Sequence, residues 1–165
     1  MSIQDFRTAA ATRDVELALG TLADDVVLRS PLTDQFTFNG KEEVRKLLET
    51  AYEHFEGLNY HTEIGDGARR VLVGGATASG QPFEETLVLT LNEDNKISVI
   101  TLFIRPLPGI TAVMALLGPH MARKNGRSRF TAGLLRVMTA PLVAATRSGD
   151  RFGLKLALPK RGVSA

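Results

Sequence analysis

The stretch Phe83–Pro106, FEETLVLTLNEDNKISVITLFIRP, decides the fold. It holds two runs that alternate between two faces, Phe83 to Leu91 and Ile97 to Arg105, joined by Glu93-Asp94-Asn95. Period-two patterning around a turn reads as a hairpin of half-buried strands. The same reading extends backwards. Arg69 to Thr77 is a strand carrying Gly74-Gly75, which marks a bulge or a close backbone approach. Leu58 to Ile64 is another strand. Asp66-Gly67 and Gly80-Gln81-Pro82 are the turns between them.

Upstream the period becomes helical. In Lys41 to Phe55, the residues Val44, Leu47, Leu48, Ala51, Tyr52 and Phe55 fall on one stripe, with Glu42, Glu43 and Glu49 off it. Gly57 is placed to stop this helix. Ile3, Phe6, Ala9 and Ala10 mark a first helix, and Asp14 is the N-cap of a second that runs through Leu22. Residues 25–30 and 34–39 read as two short strands. Helices followed by a run of hairpin-linked strands give an α+β class, with an antiparallel sheet covered by helices on one face.

Downstream, Pro106, Pro108 and Gly109 mark a boundary. Ile110, Val113, Met114, Leu117 and Met121 form a helical stripe that Gly118-Pro119 kinks or splits. Arg123 to Arg129 reads as a basic linker. Phe130, Leu134, Leu135 and Met138 form another stripe, and Pro141 starts a further turn. Phe152, Leu154, Leu156 and Leu158 alternate as a final strand. The expected organisation is a domain over 1–105 and a mainly helical, basic extension over 106–165.

Charge follows that division. Residues 1–105 carry ten Lys and Arg against seventeen Asp and Glu, a net of −7. Residues 106–165 carry ten Lys and Arg against Asp150 alone, a net of +9. The extension therefore packs on the domain or on a dimer partner, or finds an acidic partner. The absence of Cys excludes disulfides, thiolate metal sites and a Cys nucleophile, and fits a cytoplasmic location. The opening MSIQDFRTAA lacks the pattern of a signal peptide.

LADDVVLRSP (22–31), then NGKEEVRKLLE (39–49), then the closing hairpin with Asn95-Lys96-Ile97 at its turn, resemble the NTF2-like, SnoaL-like superfamily over about residues 3–105. The resemblance implies a cone: a curved antiparallel sheet wrapped by N-terminal helices around an apolar cavity. Its members include ketosteroid isomerase, polyketide cyclases, limonene epoxide hydrolase, scytalone dehydratase and non-catalytic binding domains, so the fold alone does not choose a function.

The residues exclude the best-known chemistries. Ketosteroid isomerase uses a carboxylate base, with a Tyr and a protonated Asp as oxyanion donors. The resemblance puts its base at Ser30, its Tyr near Phe6, and its Asp at Leu87 or Leu89, so all three roles are vacant. No strand Arg is followed two residues later by Asp, as the epoxide hydrolase would require. His54, His61 and His120 read as surface or structural rather than catalytic. No metal-ligand spacing, phosphate loop or nucleophile elbow is present, and nothing calls for a cofactor or for nucleic acid.

The remaining polar candidates are few. Glu85 shares a strand face with Leu87 and Leu89 and is a potential acid or base. The plainer reading puts it in water at the strand end, or in a pair with Arg70 or Arg105. Tyr52 and Tyr60 are core residues or cavity donors, and Ser30 and Asp34 flank the cavity mouth in the family layout. The expected ligand site is Ser30, Tyr52, Tyr60, Leu87, Leu89 and Ile104, with Glu85, Asp34 and Tyr52 as catalytic candidates. Three functions fit: a binder of a small hydrophobic molecule, an isomerase, cyclase or dehydratase of polyketide- or steroid-like substrates, and a dimeric interaction module with a basic tail. Thr86, Val88 and Thr90 would form part of a homodimer face. A membrane-surface role for the extension is the weaker alternative to its packing on the cone.

Overall fold

The alternating half of the chain becomes a meander. In the computed structural model, which describes residues 3–153, strands β3 (Glu56–Ile64), β4 (Arg69–Ala78), β5 (Gln81–Leu91) and β6 (Ile97–Arg105) pair antiparallel in chain order. Two more strands, β1 (Leu22–Arg29) and β2 (Thr37–Asn39), complete a curved six-stranded sheet in the order β2-β1-β6-β5-β4-β3.

The sheet is mixed rather than antiparallel. β1 runs parallel to β6, with Val27 opposite Val99 and Leu28 opposite Ile100. Hairpin signals report only neighbours joined by a tight turn. A parallel pair is closed by a long crossover and leaves no such local mark. Here the crossover contains α3 (Gly40–His54) and the rest of the meander.

Helices α1 (Ile3–Thr12), α2 (Val15–Thr21) and α3 cover one sheet face. The Asp14 carboxylate accepts from Leu17 N at 2.9 Å and so caps α2, as its spacing predicts. That helix ends at Thr21, and Leu22 already belongs to β1. The second short strand shrinks to Thr37–Asn39, because the Ser30 and Thr33 hydroxyls bond Leu32 N and Gln35 N and hold 30–35 in turns. α3 buries Val44, Leu48 and Tyr52 against the sheet, where Leu28, Leu72, Leu87, Leu89 and Ile100 meet them.

The extension is a helical hairpin, α4 (Leu107–Lys124) and α5 (Arg129–Ser148), followed by a π-helical turn over Gly149–Gly153. α4 is continuous through Gly118-Pro119. Pro119 is fully buried, and packing holds the helix across the one hydrogen bond that the proline removes. Pro141 likewise lies inside α5, and the linker between the helices is only 125–128. Phe152 sits in the π-helical turn and not in a strand, while Leu154, Leu156 and Leu158 lie outside the described residues. Among the described residues, no helix is long and apolar enough to cross a membrane.

α4 docks through a second apolar cluster, Phe55, Ala78, Phe83, Ala112 and Val113, in which the Phe55 and Phe83 rings meet edge to face at 5.0 Å. Gly109 permits that docking: a Cβ there would lie 2.7 Å from Phe83 Cβ. Gly74 is tighter still. A Cβ on it would fall 2.3 Å from Asn59 O and 2.7 Å from Tyr60 Cδ1. Gly74→Ala should therefore destabilise the protein by about 1–3 kcal/mol in denaturant unfolding. Gly133→Ala, which meets open space on α5, should be neutral or stabilise by up to about 1 kcal/mol. Equal responses at the two glycines would remove the close-approach explanation.

Candidate functional site

Four residues in one cross-strand row build the site. Pairing sets Tyr60 of β3 opposite Gly74 of β4, Gly74 opposite Glu85 of β5, and Glu85 opposite Ile104 of β6. Gly74 has no side chain to stand between its neighbours. The Tyr60 ring lies across it, and its hydroxyl donates a short hydrogen bond to Glu85 Oε1. Arg7 of α1 fixes the other end of this tyrosine, donating from Nε and Nη2 to Tyr60 O at 3.1 and 3.0 Å.

Glu85 and Tyr60 open onto a partly open apolar cavity of about 70 Å³ between the sheet and the helices. Phe6, Leu28, Leu87, Leu102 and Ile104 line its sheet side and its α1 end. Leu47, Ala51, Tyr52 and Phe55 come from α3, and Val113 and Leu117 of α4 close it. The extension thus supplies part of the wall. Tyr52 is 4 % exposed, and its hydroxyl has no hydrogen-bond partner among the described residues.

The plainer reading of Glu85 is overturned. The residue is 5 % exposed and pairs with neither arginine. Arg70 donates to Gly65 O at 2.7 Å, and Arg105 pairs with Glu84 at 3.0 Å. Burial in apolar surroundings raises the Glu85 pKa from 4.5 to about 7, against the smaller opposing effect of the Tyr60 hydrogen bond. Burial, reinforced by the neighbouring Glu85 charge, pushes both phenols above their ordinary range. Tyr52 and Tyr60 therefore stay neutral donors wherever the protein is folded near neutral pH. A carboxyl that titrates near neutrality beside two fixed donors can bind a carbonyl or hydroxyl, and can also move a proton.

Of the residues expected at the site, the cavity brings together Tyr52, Tyr60, Glu85, Leu87 and Ile104. Leu89 points the same way but is fully buried in the core below. Ser30 and Asp34 lie outside, around a surface hollow with Phe103 and Ile110, and the Ser30 hydroxyl accepts from Leu32 N at 3.1 Å. Phe6 lines the cavity without a hydroxyl. The histidines are elsewhere: His61 is exposed, and the His54 and His120 rings meet at 3.9 Å between α3 and α4. Arg7, Val113 and Leu117 were not foreseen. The stripe that carries Val113 and Leu117 is visible in the sequence, and packing on the cone is its expected destination, but the stripe does not say which of its residues reach the cavity.

A family model for the SnoaL-like domain matches residues 3–100. The chain belongs to that family. Comparison with curated proteins finds no match for this SnoaL-like protein. Among solved structures it is similar to a steroid delta-isomerase from Pseudomonas aeruginosa, at 25% identity and a TM-score of 0.64, over 75% of this chain and 88% of that one. It is also similar to an uncharacterized protein with a cystatin-like fold from Silicibacter pomeroyi, at 23% identity and a TM-score of 0.65, over 74% and 83% of the two chains. A third is an NTF2-like protein of unknown function from Cytophaga hutchinsonii, at 17% identity and a TM-score of 0.55, over 64% and 88%. The last two likenesses bear on the fold alone.

The raised Glu85 pKa has a stability consequence with a definite sign. A carboxyl that is harder to ionise when folded contributes its full stability below the unfolded value of 4.5, and that contribution is lost as pH rises through about 7. From about pH 4 to about pH 8, the wild type should lose on the order of 3 kcal/mol more than Glu85→Gln. Parallel pH profiles for the two proteins in urea unfolding would mean that Glu85 is solvated.

Proposed function

We propose that this SnoaL-like protein binds a small, mainly apolar molecule carrying one carbonyl or hydroxyl group, with Glu85 and Tyr52 holding the polar end. The observation that carries this reading is the Glu85 carboxyl, buried at the wall of an apolar cavity beside the unpartnered Tyr52 hydroxyl. An interior carboxyl and an unmade buried hydrogen bond are both costly, and a ligand oxygen would satisfy them together. The cavity of about 70 Å³ is small for an organic ligand, since such sites usually measure about 300–1,000 Å³. Binding an organic molecule therefore requires the cavity to widen, and we propose α4, which contributes Val113 and Leu117 to the wall, as the element that moves and acts as a lid.

A second reading has its own support. The pKa of about 7 suits Glu85 to general acid–base catalysis. Its carboxylate would take a proton from a carbon next to a substrate carbonyl and return it further along the conjugated system. The Tyr52 hydroxyl would donate to the enolate oxygen meanwhile. This is an isomerase reaction of the kind named for the Pseudomonas relative, run from different positions, because Ser30, Phe6, Leu87 and Leu89 cannot serve. Homodimerisation through the outer sheet face, where Thr86, Val88 and Thr90 lie half-buried, belongs to either reading.

The test begins with native mass spectrometry of the purified protein and analysis of its organic extract, followed by calorimetry with the molecule recovered. Glu85→Gln and Tyr52→Phe should each weaken binding by about tenfold or more. Leu117→Trp, which fills the cavity, should abolish it. Tyr52→Phe should leave thermal stability unchanged or slightly raised, because the hydroxyl it removes has no partner among the described residues. Unchanged affinity in both Glu85→Gln and Leu117→Trp would place the ligand elsewhere.

A further inference from the structure

α5 packs on α4 through one face only. Ala132 is buried there, and Thr146 Oγ1 meets Thr111 Oγ1 at 2.8 Å. The opposite face points outward and is apolar over its whole length. Phe130, Leu134, Val137, Met138 and Leu142 recur at i, i+4, i+7, i+8 and i+12 and are 80, 48, 71, 65 and 44 % exposed. A stripe of this size on a solvated helix is an interaction surface.

Charge identifies the occupant. From Pro106 to Gly149 the chain contains no Asp or Glu. Arg129, Arg136 and Arg147 lie on the polar side of α5, where Arg136 donates to His120 Nε2 and Arg147 to Ser79 O, both at 3.2 Å, and Arg127 and Arg151 stand beyond the two ends of the helix; all five are exposed. Two copies meeting α5 to α5 about a two-fold axis would set this acid-free, cationic helix against itself, with no opposite charge in the contact. Nucleic acid would match the arginines but leave the five apolar side chains in water. An anionic bilayer matches both features, taking the apolar face at the headgroup–acyl boundary while the cationic, acid-free polar side is drawn towards the negative surface.

We propose that α5 is an interfacial helix by which the protein docks peripherally on anionic phospholipid membranes. This is independent of what the cavity binds. α4 lies between that helix and the cavity, so its docked surface would sit close to the lid.

The experiment is flotation of the full-length protein with vesicles of phosphatidylcholine alone and of phosphatidylcholine with phosphatidylglycerol, at low and high salt. Flotation is expected with the anionic vesicles only, and should weaken with salt. The double variant V137E/M138E should abolish it. Replacing Arg127, Arg129 and Arg151 by Gln should weaken it by about fivefold per residue. All these side chains are exposed, and circular dichroism would check that the variants fold. Absence of flotation with anionic vesicles, or binding that V137E/M138E leaves unchanged, overturns the proposal. Self-association that disappears in V137E/M138E, without any vesicle binding, also overturns it and gives the face to a second copy.

Discussion

The structure turns on one buried charge-bearing group. Glu85 is sited where a leucine would ordinarily sit, midway along the inner face of β5, and its surroundings are arranged so that this is tolerable. Gly74 clears the space beside it, Tyr60 reaches across that space to bond it, and Arg7 ties the tyrosine backbone to α1. Each of these residues has a simple local role. Together they hold a carboxyl inside an apolar wall, where burial raises its pKa to about 7 and the Tyr60 hydrogen bond offsets part of that rise.

Much of the fold could be read in the sequence because it is carried by local signals. The alternation of β5 and β6, the stripe of α3 and the Asp14 cap each depend on residues a few positions apart. The parallel β1–β6 pair depends on residues about seventy positions apart, and nothing in either strand announces its neighbour. Proline misled the reading for the same reason. The local cost of Pro119 and Pro141, which predicts a kink or split at the first and a new turn at the second, is visible in the sequence, whereas the packing that offsets it is not.

The site was legible in halves. Strand parity placed Glu85 on the inward face, and the helical stripe placed Tyr52. Whether Glu85 met water depended on how far α4 reached over the end of the sheet, which is a tertiary fact. The family layout drew attention to Ser30 and Asp34, yet the turns at 30–35 hold them outside the cavity. Gly74 was recognised as a close approach, but only the register shows that what approaches is the tyrosine bonded to Glu85.

The cavity also contains every tyrosine of the protein. The chain has two, Tyr52 and Tyr60, and no tryptophan. Its phenol absorption and emission therefore arise wholly within the Glu85 pocket, free of background from any other part of the molecule. The protein carries its own optical label at the place of greatest chemical interest. A change of occupant, of Glu85 ionisation or of α4 position is written directly into the near-ultraviolet spectrum of the native chain, with no probe attached.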